Sequence, residues 1–295
     1  MKRFALVALS SFLLATQWAF AQVNAVGYAT VPFPPGFSMF SNPLGAKDDS
    51  VAALFRSGAP DAPEGTVIYR LTSSPSPDLP ERANPAGLRE LLAKLPTEFK
   101  MPVMVRREVR DLVLEWTGRL HVAAEVTGPY QPVSELSGPL RLTPSAPRSF
   151  WRAAASAPLT ISNFTANVYE AGEWSAPSDR LQPGDGVILF NPADKPFTIT
   201  FTGQILQGIL GNRIPAGWSI RSCMAPINGG MTTKAGLQLS AGDRLIFLED
   251  GQFKEFAYGA NGGWLPSEPQ NSTSKAFLIF ANKARTWEIP FMIRP

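Results

Sequence analysis

A five-residue pattern occurs twice in this chain, and the repetition constrains the fold more than any property of the composition does. Residues 34–38 read Pro-Pro-Gly-Phe-Ser, and residues 215–219, which lie 181 positions later, read Pro-Ala-Gly-Trp-Ser. Gly27 recurs at the same spacing as Gly208. Segments that recur in the same order predict the same structural unit twice. We therefore expect two copies of one unit in this chain.

A second block of residues repeats at a spacing of 90 positions. The matched positions are aromatic or aliphatic in both copies: Trp174 with Trp264, residues 187–190 with 277–280, and Phe197, Ile199 and Phe201 with Trp287, Ile289 and Phe291. Because the spacings of 181 and 90 differ by 91 residues, the first copy must contain an insertion that the second lacks. The insertion is placed at residues 72–165.

Both copies carry the patterns of antiparallel β-strands. Gly36 and Gly217 each suit the third position of a type II turn, where glycine tolerates a positive φ, and apolar residues flank both turns as in a hairpin. Residues 197–201 alternate apolar and polar side chains, as a strand buried on one face does. The predicted fold is mainly β, with two tandem antiparallel β-sandwich or barrel-like repeats, the first interrupted by a small α+β insertion.

A helix is predicted near the start of the insertion. Asn84 suits the N-cap, and Pro85 suits the first helical position, where a missing N–H costs nothing. Four leucines then share one helical face: Leu88, Leu91, Leu92 and Leu95. These leucines need an apolar partner, which is either the β-rich remainder of the insertion or the face of the first copy. We favour the β-rich remainder.

The rest of the insertion has β character. Two β-rich segments, 103–116 and 120–126, meet at a Thr-Gly step and predict a hairpin. Prolines between residues 129 and 147 predict an extended connector. The predicted organisation is a signal peptide at 1–21, a first β repeat at 22–71 with 166–203, an inserted α+β subdomain at 72–165, and a second β repeat at 204–295.

The repeated turns and the run at 183–190 (Pro-Gly-Asp-Gly-Val-Ile-Leu-Phe) resemble a group of uncharacterised exported bacterial proteins. Those proteins have two tandem β units, each opening in a Pro-x-Gly-[Phe/Trp]-Ser turn. The resemblance covers residues 27–71 and 168–293. It implies an extracytoplasmic β protein and offers no catalytic residues to carry over to this chain. The chain departs from the pattern in its insertion and in residues 223–224 (Cys-Met), which replace the Asn-Pro step at 42–43.

The N-terminus has the three parts of a secretory signal peptide. Lys2 and Arg3 are positively charged, residues 4–15 are almost wholly apolar, and residues 19–21 read Ala-Phe-Ala. The apolar run is shorter than the roughly 20 residues that cross a bilayer, which argues against an uncleaved anchor. We expect an exported protein that is periplasmic, surface-located or secreted, with no membrane span after cleavage.

The composition excludes several kinds of site. The chain has one cysteine and one histidine, so intramolecular disulfides and metal sites built from several of these residues are excluded. His121 alternates with apolar neighbours, and Cys223 is expected to be a buried, inert thiol. Without Lys2 and Arg3, the 27 basic residues fall to 25 against 24 acidic ones, and no basic face indicates nucleic-acid binding. We therefore predict no catalytic residue, metal or cofactor.

Three functions remain in order of preference. The first is a non-enzymatic envelope, matrix or surface protein with a structural or binding role. The second is a carbohydrate-binding module in which Trp174 or Trp264 contacts a polysaccharide, because an aromatic face packs on a sugar ring. The third is a hydrolase that uses two carboxylates. The conceivable carboxylate pairs are Glu170 with Glu173, Asp179 with Asp185, and Glu249 or Asp250 with Glu255.

The first prediction concerns export. We expect cleavage after Ala21, so that the mature protein begins at Gln22 and is found outside the cytoplasm. Intact-mass measurement of the protein from the exported fraction checks this. A species that retains Met1 to Ala21 in the membrane fraction would contradict it.

Overall fold

The computed structural model describes residues 25–56, 62–96 apart from 73, 75 and 77, 159–259 and 262–293. Between residues 104 and 154 it describes strands by their backbone. The described chain is mainly β and contains several antiparallel sheets, as the sequence predicts. Helix in these residues is limited to two α-helices and two 3₁₀ turns. The predicted signal peptide lies outside the described residues.

The strands fall into three groups along the chain. The strands up to the end of the insertion are β1 (Val26–Phe33), β2 (Gly36–Phe40), β3 (Val67–Leu71), β4 (Met104–Glu108), β5 (Asp111–Glu115), β6 (Arg119–Ala123), β7 (Gln131–Ser134), β8 (Leu140–Leu142) and β9 (Phe150–Ala154). The next strands are β10 (Phe164–Glu170), β11 (Glu173–Trp174), β12 (Val187–Asn191) and β13 (Phe197–Gln204). The last strands are β14 (Gly208–Ile214), β15 (Gly217–Ser222), β16 (Gly229–Gly230), β17 (Arg244–Glu249), β18 (Gln252–Tyr258), β19 (Trp264–Leu265), β20 (Gln270–Asn271), β21 (Ala276–Ala281) and β22 (Arg285–Phe291).

The helical elements are short. They are α1 (Val51–Arg56), α2 (Pro85–Ala93) and the 3₁₀ turns Glu81–Ala83 and Ile161–Asn163. The predicted cap of α2 is confirmed, since the Asn84 side chain accepts a hydrogen bond from the Gly87 N–H at 3.0 Å. We call strands β1–β3 together with β10–β13 the first unit, and strands β14–β22 the second unit.

The two units have the same strand order. In the first unit a five-stranded sheet runs β11-β10-β3-β12-β2, and β1 pairs with β13 in a separate ribbon. In the second unit the sheet runs β19-β18-β17-β21-β15, and β14 pairs with β22. Apart from the short pair β16 and β20, each strand of the second unit takes the place of its counterpart in the first.

The repeated turns also have equivalent registers. Gly36 lies opposite Asn191 and Phe37 opposite Phe190, while Gly217 lies opposite Ala281 and Trp218 opposite Phe280. The predicted positive φ is confirmed at both glycines, with values of 83° and 85°. The turn thus aligns an aromatic pair across neighbouring strands in each unit.

The register differs in one ribbon from the sequence match. Phe33 pairs with Phe197, whereas its counterpart Ile214 pairs with Arg285, two positions before Trp287. The loop at 282–284 is two residues shorter than the loop at 192–196. Matching Phe197 with Trp287 is therefore wrong by two positions. A shift of two preserves the alternation of buried and exposed faces, which is why the sequence pattern conceals it.

Each sheet is covered on both faces. On one face lies the ribbon of the same unit, because the inward side chains of β1 and β13 share a buried cluster with β12. On the other face the two units meet, and the buried side chains of that layer include Met39, Val67, Ile188, Ile220, Ile246 and Leu278. We call this shared layer the inter-unit core.

Two reciprocal backbone hydrogen bonds join the units at the edge of this core. The Ser222 N–H donates to the Gly184 carbonyl, and the Ser41 N–H donates to the Ser274 carbonyl, both at 3.0 Å. Ser41 and Ser222 are separated by 181 positions, and Gly184 and Ser274 by 90. Each unit therefore donates one hydrogen bond to the other from an equivalent serine to an equivalent carbonyl.

Helix α2 packs against the inter-unit core, so the preference for a partner within the insertion is wrong. The four leucines of its apolar face belong to the same cluster as residues of both units. The Tyr69 hydroxyl donates to the Ala83 carbonyl at 2.5 Å and fixes the approach to the helix. Burial raises the pKa of the Tyr69 phenol, so the hydroxyl stays a donor.

The strands of the insertion also differ from prediction. β5 pairs with β4 and β8, and β6 pairs with β7 and β9. In the part of 103–126 that the structure describes, β5 and β6 are therefore not paired with each other, as the expected hairpin requires. Strands β7 and β8 lie within the stretch predicted as an extended connector. Both are edge strands, where the missing N–H of a proline is tolerated.

Replacing Gly217 tests the turn. A Cβ at this position meets nothing within 4 Å, so the cost of a side chain is the positive φ alone. We expect Gly217→Val to lower the free energy of unfolding by roughly 1–3 kcal/mol, measured by urea denaturation. Gly217→Asn is the control and should lose less, because asparagine tolerates this conformation. Equal losses in the two variants would contradict the argument.

Truncating Leu88 tests the position of α2. The side chain is fully buried in the inter-unit core, so Leu88→Ala should lower the free energy of unfolding by about 2–5 kcal/mol. The neighbouring Arg89 is exposed, and Arg89→Ala should change it by less than about 0.5 kcal/mol. Denaturation curves followed by circular dichroism give both values. If both variants matched the wild type, α2 would not be part of the core.

Candidate functional site

A cleft of about 510 Å³ lies where α2 meets the turns of both units. We call it the Phe37 cleft. Its walls come from the β1–β2 turn, one side of α2 and the turn between β17 and β18. The side chains that line it include Phe37, Asn84, Glu90, Lys94, Phe190 and Asp250.

Two phenylalanines supply the aromatic part of the cleft's apolar surface. Phe37 and Phe190 lie opposite each other on β2 and β12, with ring centroids 4.8 Å apart and an interplanar angle of 40°. Both are half-buried, which leaves part of each ring in the cleft. They are adjacent because Gly36 sets the register of β2 against β12.

In the equivalent aromatic pair of the second unit, Phe280 is buried and Trp218 is half-buried. Trp218 and Phe280 have centroids 5.2 Å apart, and the Arg244 guanidinium lies over the Trp218 ring at 5.7 Å from its centroid. In the first unit Val67 occupies the position of Arg244, since each lies opposite the second aromatic of its pair. The neutral and shorter Val67 therefore brings no cation to the Phe37 pair.

Arg244 also joins the second unit to α2. Its Nε donates to the Glu255 carboxylate, and its Nη2 donates to the Pro96 carbonyl at 3.2 Å. The Arg244 side chain is almost fully buried, so the ion pair with Glu255 replaces lost hydration. This contact ties the segment that follows α2 to the second unit, while one side of α2 itself lines the Phe37 cleft.

Polar side chains surround the mouth of the cleft. Asn84 has its side-chain oxygen bound to the Gly87 N–H, and Glu90 forms an ion pair with Lys94 at 3.5 Å. Asp250 adds a carboxylate from the β17–β18 turn. An aromatic pair next to polar side chains in one cleft suits a ligand that has one apolar part.

The two tryptophans proposed as ligand-binding residues lie in different environments. Trp174 is 6% exposed, and its ring packs on Phe55 and Tyr169 with centroids 5.0 and 5.2 Å away. Trp264 is half-buried against Tyr258, and its indole N–H donates to Thr232 Oγ1 at 3.2 Å. They occupy equivalent positions, one opposite Tyr169 and the other opposite Tyr258. Ligand binding by either residue stays a prediction.

Trp174 nevertheless borders a small cleft. This cleft has a volume of about 170 Å³ and is lined by Arg56, Tyr169 and Glu173 among others. The volume is below the range of roughly 300–1,000 Å³ that is usual for ligand sites. The Phe37 cleft lies within that range.

Several of the carboxylates that were considered as catalytic pairs form ion pairs with basic side chains. Glu170 pairs with Arg82, Glu249 with Lys254 and Lys275, Glu255 with Arg244, and Asp185 with Arg70 and Arg221. Hydrogen bonds from Lys254 and Lys275 hold the pKa of Glu249 below its usual value. Glu170 and Glu173 lie directly opposite each other on β10 and β11.

The remaining candidates are inert or lie outside the described side chains. Cys223 is buried, and this burial raises the pKa of its thiol, as expected for a structural cysteine. The His121 side chain lies outside the described side chains, although its backbone belongs to β6. Among the described residues, no group of three or more potential ligands is placed to hold a metal ion. No helix in the described part of the chain is long and apolar enough to cross a membrane.

Sequence reasoning identified Phe37 and Phe190 as repeat markers but did not place them at a common cleft. Two features of the sequence could have drawn attention to this pair: the recurrence of the turn within the chain, and Val67 at the position equivalent to Arg244. A cleft that also requires α2 is not visible in either pattern.

No protein-family model, curated protein or solved structure matches the chain.

Proposed function

We propose that this chain is a non-enzymatic exported protein that binds a partly apolar ligand in the Phe37 cleft. The observation that carries the proposal is the half-exposed pair of Phe37 and Phe190 at the base of a cleft of about 510 Å³. Clefts of this size with apolar walls and a few polar groups are the usual form of ligand sites. The protein acts as an envelope, matrix or surface component.

The architecture in this proposal is a duplicated β-sandwich. Each unit consists of a five-stranded sheet with a two-stranded ribbon packed on it, and the first unit carries the insertion. Support comes from the shared strand order and from the equivalent turns at Gly36 and Gly217. One aromatic pair lies in each unit, and the pair of the first unit has Val67 beside it where the pair of the second unit has the Arg244 guanidinium over Trp218.

Export is part of the same proposal. The support is the N-terminal sequence, in which two basic residues precede an apolar run and an Ala-x-Ala site. Polysaccharides and other envelope components are the partners that such a location provides.

A binding role is favoured over hydrolysis by the ion pairs of the acidic residues. A carboxylate that acts as nucleophile or general acid must be able to face the substrate and change its protonation state. Glu249, Glu255 and Asp185 instead neutralise basic side chains. Carbohydrate binding through Trp174 is less favoured, because Phe55 and Tyr169 pack against its ring.

The neutral fluorophore N-phenyl-1-naphthylamine tests the cleft, because its emission rises in apolar surroundings. We expect saturable binding to the mature protein and at least tenfold weaker binding to Phe37→Ala, which removes one ring from the floor. Ile209 is 78% exposed on β14, outside the cleft, so Ile209→Ala is the control and should bind as the wild type does.

Circular dichroism must show that Phe37→Ala is folded at the temperature of the titration. Equal binding of the probe to the folded Phe37→Ala variant and to the wild type would overturn the assignment of the cleft.

A further inference from the structure

The outward face of the β1–β13 ribbon has an unusual chemistry for a protein surface. Its eight positions contain no charged side chain, and seven of them are exposed and one half-buried. They form four opposed pairs along the ribbon: Val26 with Gln204, Tyr28 with Thr202, Thr30 with Thr200, and Pro32 with Thr198.

Tyr28 is the main feature of this face. Its side chain is 76% exposed, although the other side of the same strand packs into the core of the first unit. A groove of about 700 Å³ runs beside it and is lined by Lys47, Thr202 and Gln204 among others. Thr30 and Thr200 share a hydrogen bond between their hydroxyls at 3.0 Å, which keeps the ribbon face regular.

The fold itself does not require this surface. The equivalent ribbon of the second unit, β14 with β22, buries the same kind of inner face. Its outer face carries Ile209 in place of Tyr28, and it carries the charged residues Arg213 and Glu288. The uncharged, hydroxyl-rich face is therefore specific to the first unit.

Its chemistry matches that of a neutral polysaccharide. The apolar face of a sugar ring packs on an exposed aromatic ring, and sugar hydroxyls exchange hydrogen bonds with hydroxyl and amide groups. Tyr28 supplies the ring, Thr202 the hydroxyl and Gln204 the amide. The eight residues of β1 extend over roughly 25 Å, long enough for a chain of several sugars. The eight ribbon positions offer no charge to pair with a charged polymer, and Lys47 supplies one positive charge among the groove residues.

We propose that the outward face of the β1–β13 ribbon binds a neutral polysaccharide, with Tyr28 stacked on a sugar ring and Thr202 and Gln204 bound to its hydroxyls. The proposal rests on the binding role of the exported protein proposed above, but it uses a different surface from the Phe37 cleft.

Sedimentation with insoluble polysaccharides tests the proposal on the mature full-length protein. We expect binding to at least one of cellulose, chitin and starch granules, and no binding to the anionic polymer alginate in gel form. Tyr28→Ala should weaken binding at least tenfold, whereas Tyr28→Phe should retain most of it because the ring is kept. Ile209→Ala is the matched control, since it changes the equivalent exposed position of the second ribbon and should bind as the wild type does.

Two results would overturn the proposal. One is the absence of binding to all three neutral polysaccharides, and the other is equal binding by the wild type and Tyr28→Ala. Phe37→Ala separates this proposal from the preceding one, because it should lose the fluorophore and keep the polysaccharide. Polysaccharide binding that is lost in Phe37→Ala but kept in Tyr28→Ala would assign the polysaccharide to the cleft instead.

Discussion

Two central strands, β12 and β21, are apolar on both faces, and the rest of the structure depends on covering them. In β12, Val187 and Leu189 contact the layer of the β1–β13 ribbon, whereas Ile188 belongs to the inter-unit core. All six residues of β21 are buried. A single unit covers one face of its sheet with its own ribbon and leaves the other exposed to water. The two units therefore stabilise each other by burying these remaining faces together.

The insertion completes this arrangement. Helix α2 places its leucines against the inter-unit core, and its two ends are tied to different units. Tyr69 of the first unit binds the carbonyl of Ala83 before the helix, and Arg244 of the second binds the carbonyl of Pro96 after it. A helix from the segment between β3 and β10 is in this way part of the core shared by both units. The Phe37 cleft exists because α2 forms one of its walls.

The units differ where the fold permits variation. Val67 and Arg244 occupy equivalent places, and the Arg244 guanidinium lies over Trp218 in the second unit, whereas the neutral Val67 lies opposite Phe190 in the first. Tyr28 and Ile209 are likewise equivalent and exposed, yet only the first lies on an uncharged ribbon face. Val67 and Arg244 are both buried, so the first difference lies in the core, whereas Tyr28 and Ile209 are exposed, so the second lies on the surface. Each of the two proposed binding surfaces is next to one of these differences.

The sequence by itself determined the β character of the chain, the positive φ of Gly36 and Gly217, and the N-cap of α2 at Asn84. These features depend on neighbouring residues, through alternation, turn geometry and capping. The two-residue shift of the second ribbon was hidden, because a strand has the same buried face after a shift of two. The partner of α2 was not predictable either. An apolar helical face indicates that the helix is buried on that side, but it does not indicate which element it packs against. Only the tertiary structure decided that Phe37 and Phe190 border a cleft, because the cleft requires three segments that are distant in sequence to meet.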